Sequence, residues 1–309
     1  MARQEKAAVL LICLLLAQLV HSSADHQSFR AFISGVDAAH LGTPSRTVKI
    51  VLIRHGQSEA NKREQDLEAT GKSPREVRDL MLQETDSTNL VDAMLTPKGV
   101  EQAKETGTRL ATTHPHIKYM FTSPFRRAVD TAVNFWAGYK PGTIPNLRLM
   151  PWAMEDLGTV GEIAVYSYDH LAKYPFVDRS RLAANPTFWF LEFMRENPRT
   201  HIRQRLLDAS NKQHPLEEIA KIMLEVPERV ETPSQVEIRI ENCQKELRDF
   251  IRRKEQAGVT IRDGEIVLVA HGWFLTQFTG LQEILHDDTF GKIAAEWPNA
   301  EPRSFNLVI

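Results

Sequence analysis

Two histidines in this chain stand where an aliphatic run ends and a glycine follows. Ile50 to Ile53 lead into Arg54-His55-Gly56, and Ile266 to Ala270 lead into His271-Gly272. Continuous apolar runs of this length read as strands covered on both faces of a parallel sheet. Their carboxyl ends form the edge where open α/β sheets bind ligands. An imidazole and a cation at that edge suggest a site for phosphate, whose oxygens match the planar, permanently charged guanidinium fork. A third strand-like run, Ile117 to Thr122, opens into Ser123-Pro124-Phe125-Arg126-Arg127. It brings further positive charge to the same edge.

The elements that must position these groups are legible from local signals. Gly56 permits a tight turn, and Ser58 is placed to cap a following helix. A polar segment then runs to about Val91, with a helical piece near Arg75 to Leu82, and reads as a surface excursion. Thr96-Pro97 is an N-cap with proline at the first helical position, followed by Val100, Ala103, Gly107 and Leu110 at helical spacing. Pro124 opens a helix over about Phe125 to Trp136, with Arg127 in its first turn. Leu147 to Ala153 reads as a strand leading to Met154-Glu155-Asp156-Leu157-Gly158. The region 159–232 is rich in aromatics and then basic, and reads as a mainly helical insertion. Its aromatics are expected to pack a small core of their own, with its arginines facing water. Gln235 to Glu255 is a strong helix whose core stripe includes Cys243, a buried and inert thiol on this reading. Trp273 to Leu285 reads as a helix and Ser304 to Ile309 as the last strand.

Taken in order, Arg54-His55-Gly56, Leu95 to Ala103, Ser123 to Ala132 and His271-Gly272 resemble the histidine phosphatase superfamily, also called phosphoglycerate-mutase-like. The likeness covers roughly Lys49 to Ile309, interrupted by long insertions. It implies a three-layer α/β/α fold with a mostly parallel central sheet and a helical cap inserted at about 159–232. It also implies roles. His55 is the nucleophile that forms a phosphohistidine, Arg54 and Arg127 hold the phosphoryl oxygens, and His271 is a second, protonated imidazole. Arg126 is set aside, because the family's arginine directly precedes the alanine, here Ala128. The family's proton donor falls near Glu155, which stands three residues before Gly158 where four is usual, so Asp156 and Glu162 stay open beside it. Asn61 and Gly272 are the expected substrate-binding positions. His271 is followed by glycine, not aspartate, and Ser58 stands where an Arg-His-Gly-x-Arg pattern needs arginine; both features place the chain in the mutase-like branch.

The implied activity is phosphomonoester hydrolysis on a small phosphorylated substrate, without metal or cofactor. Two alternatives stay open: a mutase-like transfer back to substrate, and an inactive phospho-ligand-binding protein of the same fold. His114 and His116 lack a third ligand and do not make a metal site. The charge balance, −2 over 309 residues, gives no basic excess for nucleic acid. Arg3 and Lys6, the apolar run Ala7 to Val20 and the small residues Ser22-Ser23-Ala24 are laid out as a secretory signal peptide over 1–24. The mature domain is then 25–309, secreted or lumenal, with no stable membrane span once the leader is cleaved. It keeps one cysteine, Cys243, and so no internal disulfide. Oligomeric state is not specified by these features.

Overall fold

Thr47–Arg54 (β1) and Ile266–Ala270 (β4) pair in parallel, with Arg54 opposite Ala270, so both histidine-bearing strand ends finish at one level. The computed structural model that reveals this describes residues 46–196, 201–226, 230–280 and 297–309. The leader-like segment 1–24, its lead-in and the expected continuation of a helix to Leu285 lie outside those residues. On the other side of β4 run Tyr119–Thr122 (β2) and Leu147–Leu149 (β3), both parallel to it, while Pro302–Val308 (β5) closes the far edge antiparallel to β1. The sheet order is therefore β3-β2-β4-β1-β5.

Alternation along the strands explains the layers. Val51, Ile53, Met120, Val267 and Val269 face one side. Ile50, Leu52, Phe121, Ile266 and Leu268 face the other, and both sets are buried. The first face is covered by Pro97–Thr113 (α1) and Arg126–Tyr139 (α2), which present Leu110 and then Ala128, Val129, Ala132 and Phe135. The second is covered by Pro233–Gln256 (α3), which presents Val236, Cys243, Leu247 and Ile251, and by Gly272–Thr279 (α4) with Phe274, Leu275 and Phe278. This is a three-layer α/β/α fold. Among the described residues no helix is long and apolar enough to cross a membrane.

Two expectations change. The region 159–232 is mainly helical, with helices at Ile202–Ser210 and Pro215–Glu225 and short turns before them. Its aromatics, however, do not form a private core. Trp189 and Phe190 are fully buried in the cluster that contains Val51 and Val267, and Phe125 meets Trp189 edge-on at 5.8 Å. Apolar area is removed from water more completely against an existing sheet face than within a short insertion. Likewise the expected strand at 147–153 ends at Leu149, because Pro151–Ala153 turns into a 3-10 helix; proline has no N–H for a ladder.

Candidate active site

The turn after β1 is held rather than merely permitted. A Cβ on Gly56 would lie 2.4 Å from the carbonyl oxygen of Gly99, so glycine is required here by close backbone approach and not by a left-handed φ. The N–H of Gly56 donates to Thr131 Oγ1 at 3.0 Å. Ser58 caps the helix Glu59–Glu68 in a capping box with Asn61, and Thr96 caps α1; each cap contributes about 1 kcal/mol.

This framework sets the tautomer of His55. Its Nδ1 lies 2.8 Å from the carbonyl oxygen of Gly56, which can only accept, so Nδ1 carries the proton. Nε2 is then the lone-pair nitrogen, and Arg127 Nε donates to it at 3.2 Å. Burial together with the Arg127 and Arg54 guanidiniums pushes His55 well below the usual imidazole range, so the ring is neutral and nucleophilic at physiological pH.

Arg127 enters from the first turn of α2 and is itself buried. It also donates to the carbonyl of Gly161 at 2.5 Å and to Glu162 Oε1 at 3.3 Å, and lies 4.7 Å over the Phe125 ring. Arg54 donates to the carbonyl of Trp297 at 2.7 Å. Its side chain lies where a Cβ on Gly272 would come within 3.1 Å of Nε, which accounts for glycine after the second histidine. Arg126 points elsewhere. Its guanidinium donates to the carbonyls of Thr88, Val91 and Asp92, fastening that loop.

His271 is fully buried, its ring centroid 5.2 Å from that of His55 and its Nε2 2.8 Å from Ser123 Oγ. Its Nδ1 has no hydrogen-bond partner among the described residues. Desolvation, Arg127, His55 and Arg54 push it well below the usual range. The proton expected on His271 is therefore opposed by its own surroundings, which favour the neutral ring.

Glu155 is aimed by a helix terminus. Its carboxylate accepts the N–H groups of Trp273 and Phe274, each at 3.2 Å, at the start of α4, and that of Asp156 at 3.1 Å. The positive end of the helix dipole favours an acidic group there. Asp156 accepts the N–H of Glu231, and Glu162 caps its own turn through Thr159 while meeting Arg127. Arg54, His55, Asn61, Arg127, Glu155, Asp156 and Glu162 all line one open cleft. His271 stands behind this lining. Asn61 also accepts from Asn299, which donates a further hydrogen bond to the carbonyl of His55.

Sequence reasoning missed one helix of the lining. Helix Pro74–Met81, read as part of a surface excursion, contributes Pro74, Val77, Arg78 and Met81 to the cleft. The spacing of Val77 and Met81, one helical turn apart, was the available signal. Among the described residues no group of three or more His, Cys, Asp or Glu is arranged to hold a metal ion.

Residues 50–157 match the model of the histidine phosphatase superfamily, branch 1. This segment belongs to the histidine phosphatase superfamily. The superfamily segment contains Arg54, His55, Asn61, Arg127 and Glu155, while His271 and Gly272 lie beyond it. Membership supports phosphatase-type phosphoryl-transfer chemistry in general. Similar solved structures include phosphoglycerate mutase from Bacillus anthracis str. Sterne, at 16% identity over 85% of this chain and 88% of that one, with a TM-score of 0.43. A mycobacterial glucosyl-3-phosphoglycerate phosphatase is 19% identical over 84% and 91%, with a TM-score of 0.41. The ecdysone phosphate phosphatase of Bombix mori is 15% identical over 85% and 92%, with a TM-score of 0.42. No curated protein matches the chain.

Proposed function

We propose that the protein hydrolyses phosphomonoesters through a phosphohistidine on His55. The observation that carries this is the fixed tautomer. With Nδ1–H committed to the Gly56 carbonyl, the Nε2 lone pair faces the buried guanidinium of Arg127, and the charge of Arg54 also acts on the ring. Nε2 attacks phosphorus as the ester P–O bond breaks, and Arg54 and Arg127 receive the negative charge on the equatorial oxygens. The chemistry then needs no metal, since fixed cations supply the charge. Glu155, entering as the carboxylic acid, gives its proton to the leaving alkoxide. As a carboxylate it then takes a proton from the water that cleaves the P–N bond, releasing inorganic phosphate and restoring His55. A phosphate dianion beside His271 opposes the push toward neutrality and favours a proton on that ring. The leader-like residues 1–24 support action in the secretory pathway or outside the cell.

The test is phosphate release from small phosphomonoesters with EDTA present. We expect turnover by the wild type and loss of at least about 10³-fold in His55→Ala, together with acid-labile phosphate trapped on the wild type alone. Undiminished turnover in His55→Ala would overturn the reading.

A further inference from the structure

The tautomer of His55 depends on one peptide unit, and that unit is gripped from its far side. The Gly56 carbonyl that faces His55 Nδ1 and the N–H of Gln57 belong to the same trans peptide, so they point in opposite directions. That N–H donates to Oε1 of Gln102 at 2.9 Å. A backbone N–H can only donate, so the carboxamide of Gln102 presents its oxygen here. Gln102 stands on α1 one turn beyond Gly99, whose carbonyl is the close neighbour of Gly56. The start of α1 therefore meets the Arg-His-Gly turn twice, once by close packing and once by a hydrogen bond. The preceding peptide is held separately, through the Gly56 N–H and Thr131. Gln102 is half-buried and outside the cleft lining, so its effect on the reaction passes through His55.

Resting on the hydrolase reading above, we propose that Gln102 is a positioning residue that keeps the nucleophilic lone pair on His55 Nε2. Glycine at 56 leaves the peptide unit after it freer to rotate than any other residue would. The Gln102 oxygen opposes that rotation, because turning the carbonyl off Nδ1 also draws the Gln57 N–H away from Oε1. A half-turn would bring that N–H to Nδ1, which would then have to accept. The ring proton would sit on Nε2 instead, against the Nε–H of Arg127 and in place of the lone pair that attacks phosphorus. The bond also acts in the intact site. Donation to Oε1 polarises the peptide and makes the Gly56 carbonyl a better acceptor for Nδ1–H. Gln102, peptide and imidazole form one chain of hydrogen bonds that ends on the reactive ring.

Gln102→Leu removes the acceptor, and Gln102→Glu keeps one within reach of the Gln57 N–H. Gln102→Ser, too short to reach, replaces Gln102→Leu if that variant does not fold. Two readouts on the full chain separate positioning from packing. The first is proton-correlated nitrogen-15 NMR of histidine-labelled protein at about pH 7.5, above the titration of free imidazole. The His55 signals are identified by their loss in His55→Ala. We expect the proton on Nδ1 in the wild type and in Gln102→Glu, and a shift of proton toward Nε2 in Gln102→Leu. The second is steady-state hydrolysis of p-nitrophenyl phosphate. There kcat should fall about tenfold in Gln102→Leu with KM within about twofold, while Gln102→Glu stays within about threefold of the wild type. An unchanged His55 spectrum in Gln102→Leu overturns the proposal, as does an equal change in both variants, since only one lacks an acceptor. In a protein that hydrolyses the ester, a shifted spectrum with undiminished kcat overturns it too. The expected spectra in a protein that hydrolyses no phosphomonoester uphold the role of Gln102 and sink the hydrolase reading. A wild-type proton on Nε2 overturns both.

Discussion

At the scale of single residues, the site assigns different work to similar groups. Arg126 and Arg127 are neighbours in sequence, yet one fastens a loop through three carbonyls and the other reaches the lone pair of His55. Glu155, Asp156 and Glu162 share the cleft, and their engagements differ. Glu162 is tied to Arg127 and Thr159, Asp156 is buried beneath Glu231, and Glu155 stands on the first amides of α4. Glu155→Gln is expected to lower kcat by about 10²–10⁴ for alkyl phosphates and far less for p-nitrophenyl phosphate, whose leaving group needs no proton. Steady-state rates on the two esters check this. The same leaving-group pattern in Glu162→Gln, with Glu155→Gln normal, would move the acid role to Glu162.

At the scale of elements, the segment that carries Glu155 has no regular structure, and a buried ion pair organises it. Arg239 on α3 meets Glu231 through both carboxylate oxygens, at 2.8 and 2.6 Å, with both side chains almost fully buried. The same guanidinium donates to the carbonyls of Trp152 at 3.1 Å and Met154 at 2.7 Å, immediately before Glu155. Removing one partner of such a pair strands a charge in a dry interior, at a cost of about 3–5 kcal/mol. Arg239→Met should show that loss in urea unfolding. Arg239→Lys retains the charge but not the fork, and should lower kcat with KM nearly unchanged. A change in stability alone would make the pair structural and remove its positioning role.

For the whole molecule, the buried histidines link the site to folding. His55 and His271 both have folded values well below the ordinary imidazole value of about 6.5. The unfolded chain therefore binds protons as pH drops below about 6.5 while the folded chain does not. Stability is fully present above that pH and falls as pH descends toward the folded values, by up to about 1.4 kcal/mol per pH unit for each histidine. Urea unfolding at pH 7.5, 6.5 and 5.5 checks this, a window above the ordinary titration of carboxylates. His271→Asn is expected to remove about half of the slope. An equal slope in the variant would exclude His271 from the linkage.

How much of this was legible along the chain follows from the range of each interaction. Strand ends, caps and the Arg-His-Gly turn are local events, and Ile50 to Ile53, Ser58, Thr96-Pro97 and Pro124 announce them through burial pattern, capping chemistry and proline's missing N–H. The order of the motifs brought the same edge of the sheet into view, and with it Arg54, His55, Arg127 and His271. Gly56 was legible as a turn, but its reason, a backbone 2.4 Å from where a Cβ would sit, belongs to Gly99 more than forty residues away. The remaining decisions were equally non-local. Arg78 and Met81 reach the cleft because their helix folds back over it, and the aromatics of 159–232 join the sheet's own core because that face had apolar area left to cover. The protonation of His55 and His271 depends on desolvation and on the guanidiniums of Arg54 and Arg127, of which Arg127 comes to both rings from another element. The sequence by itself determined which elements form and where their reactive residues lie. Only the tertiary structure decided what surrounds those residues, because burial and Coulomb interactions act through space between segments far apart in the chain.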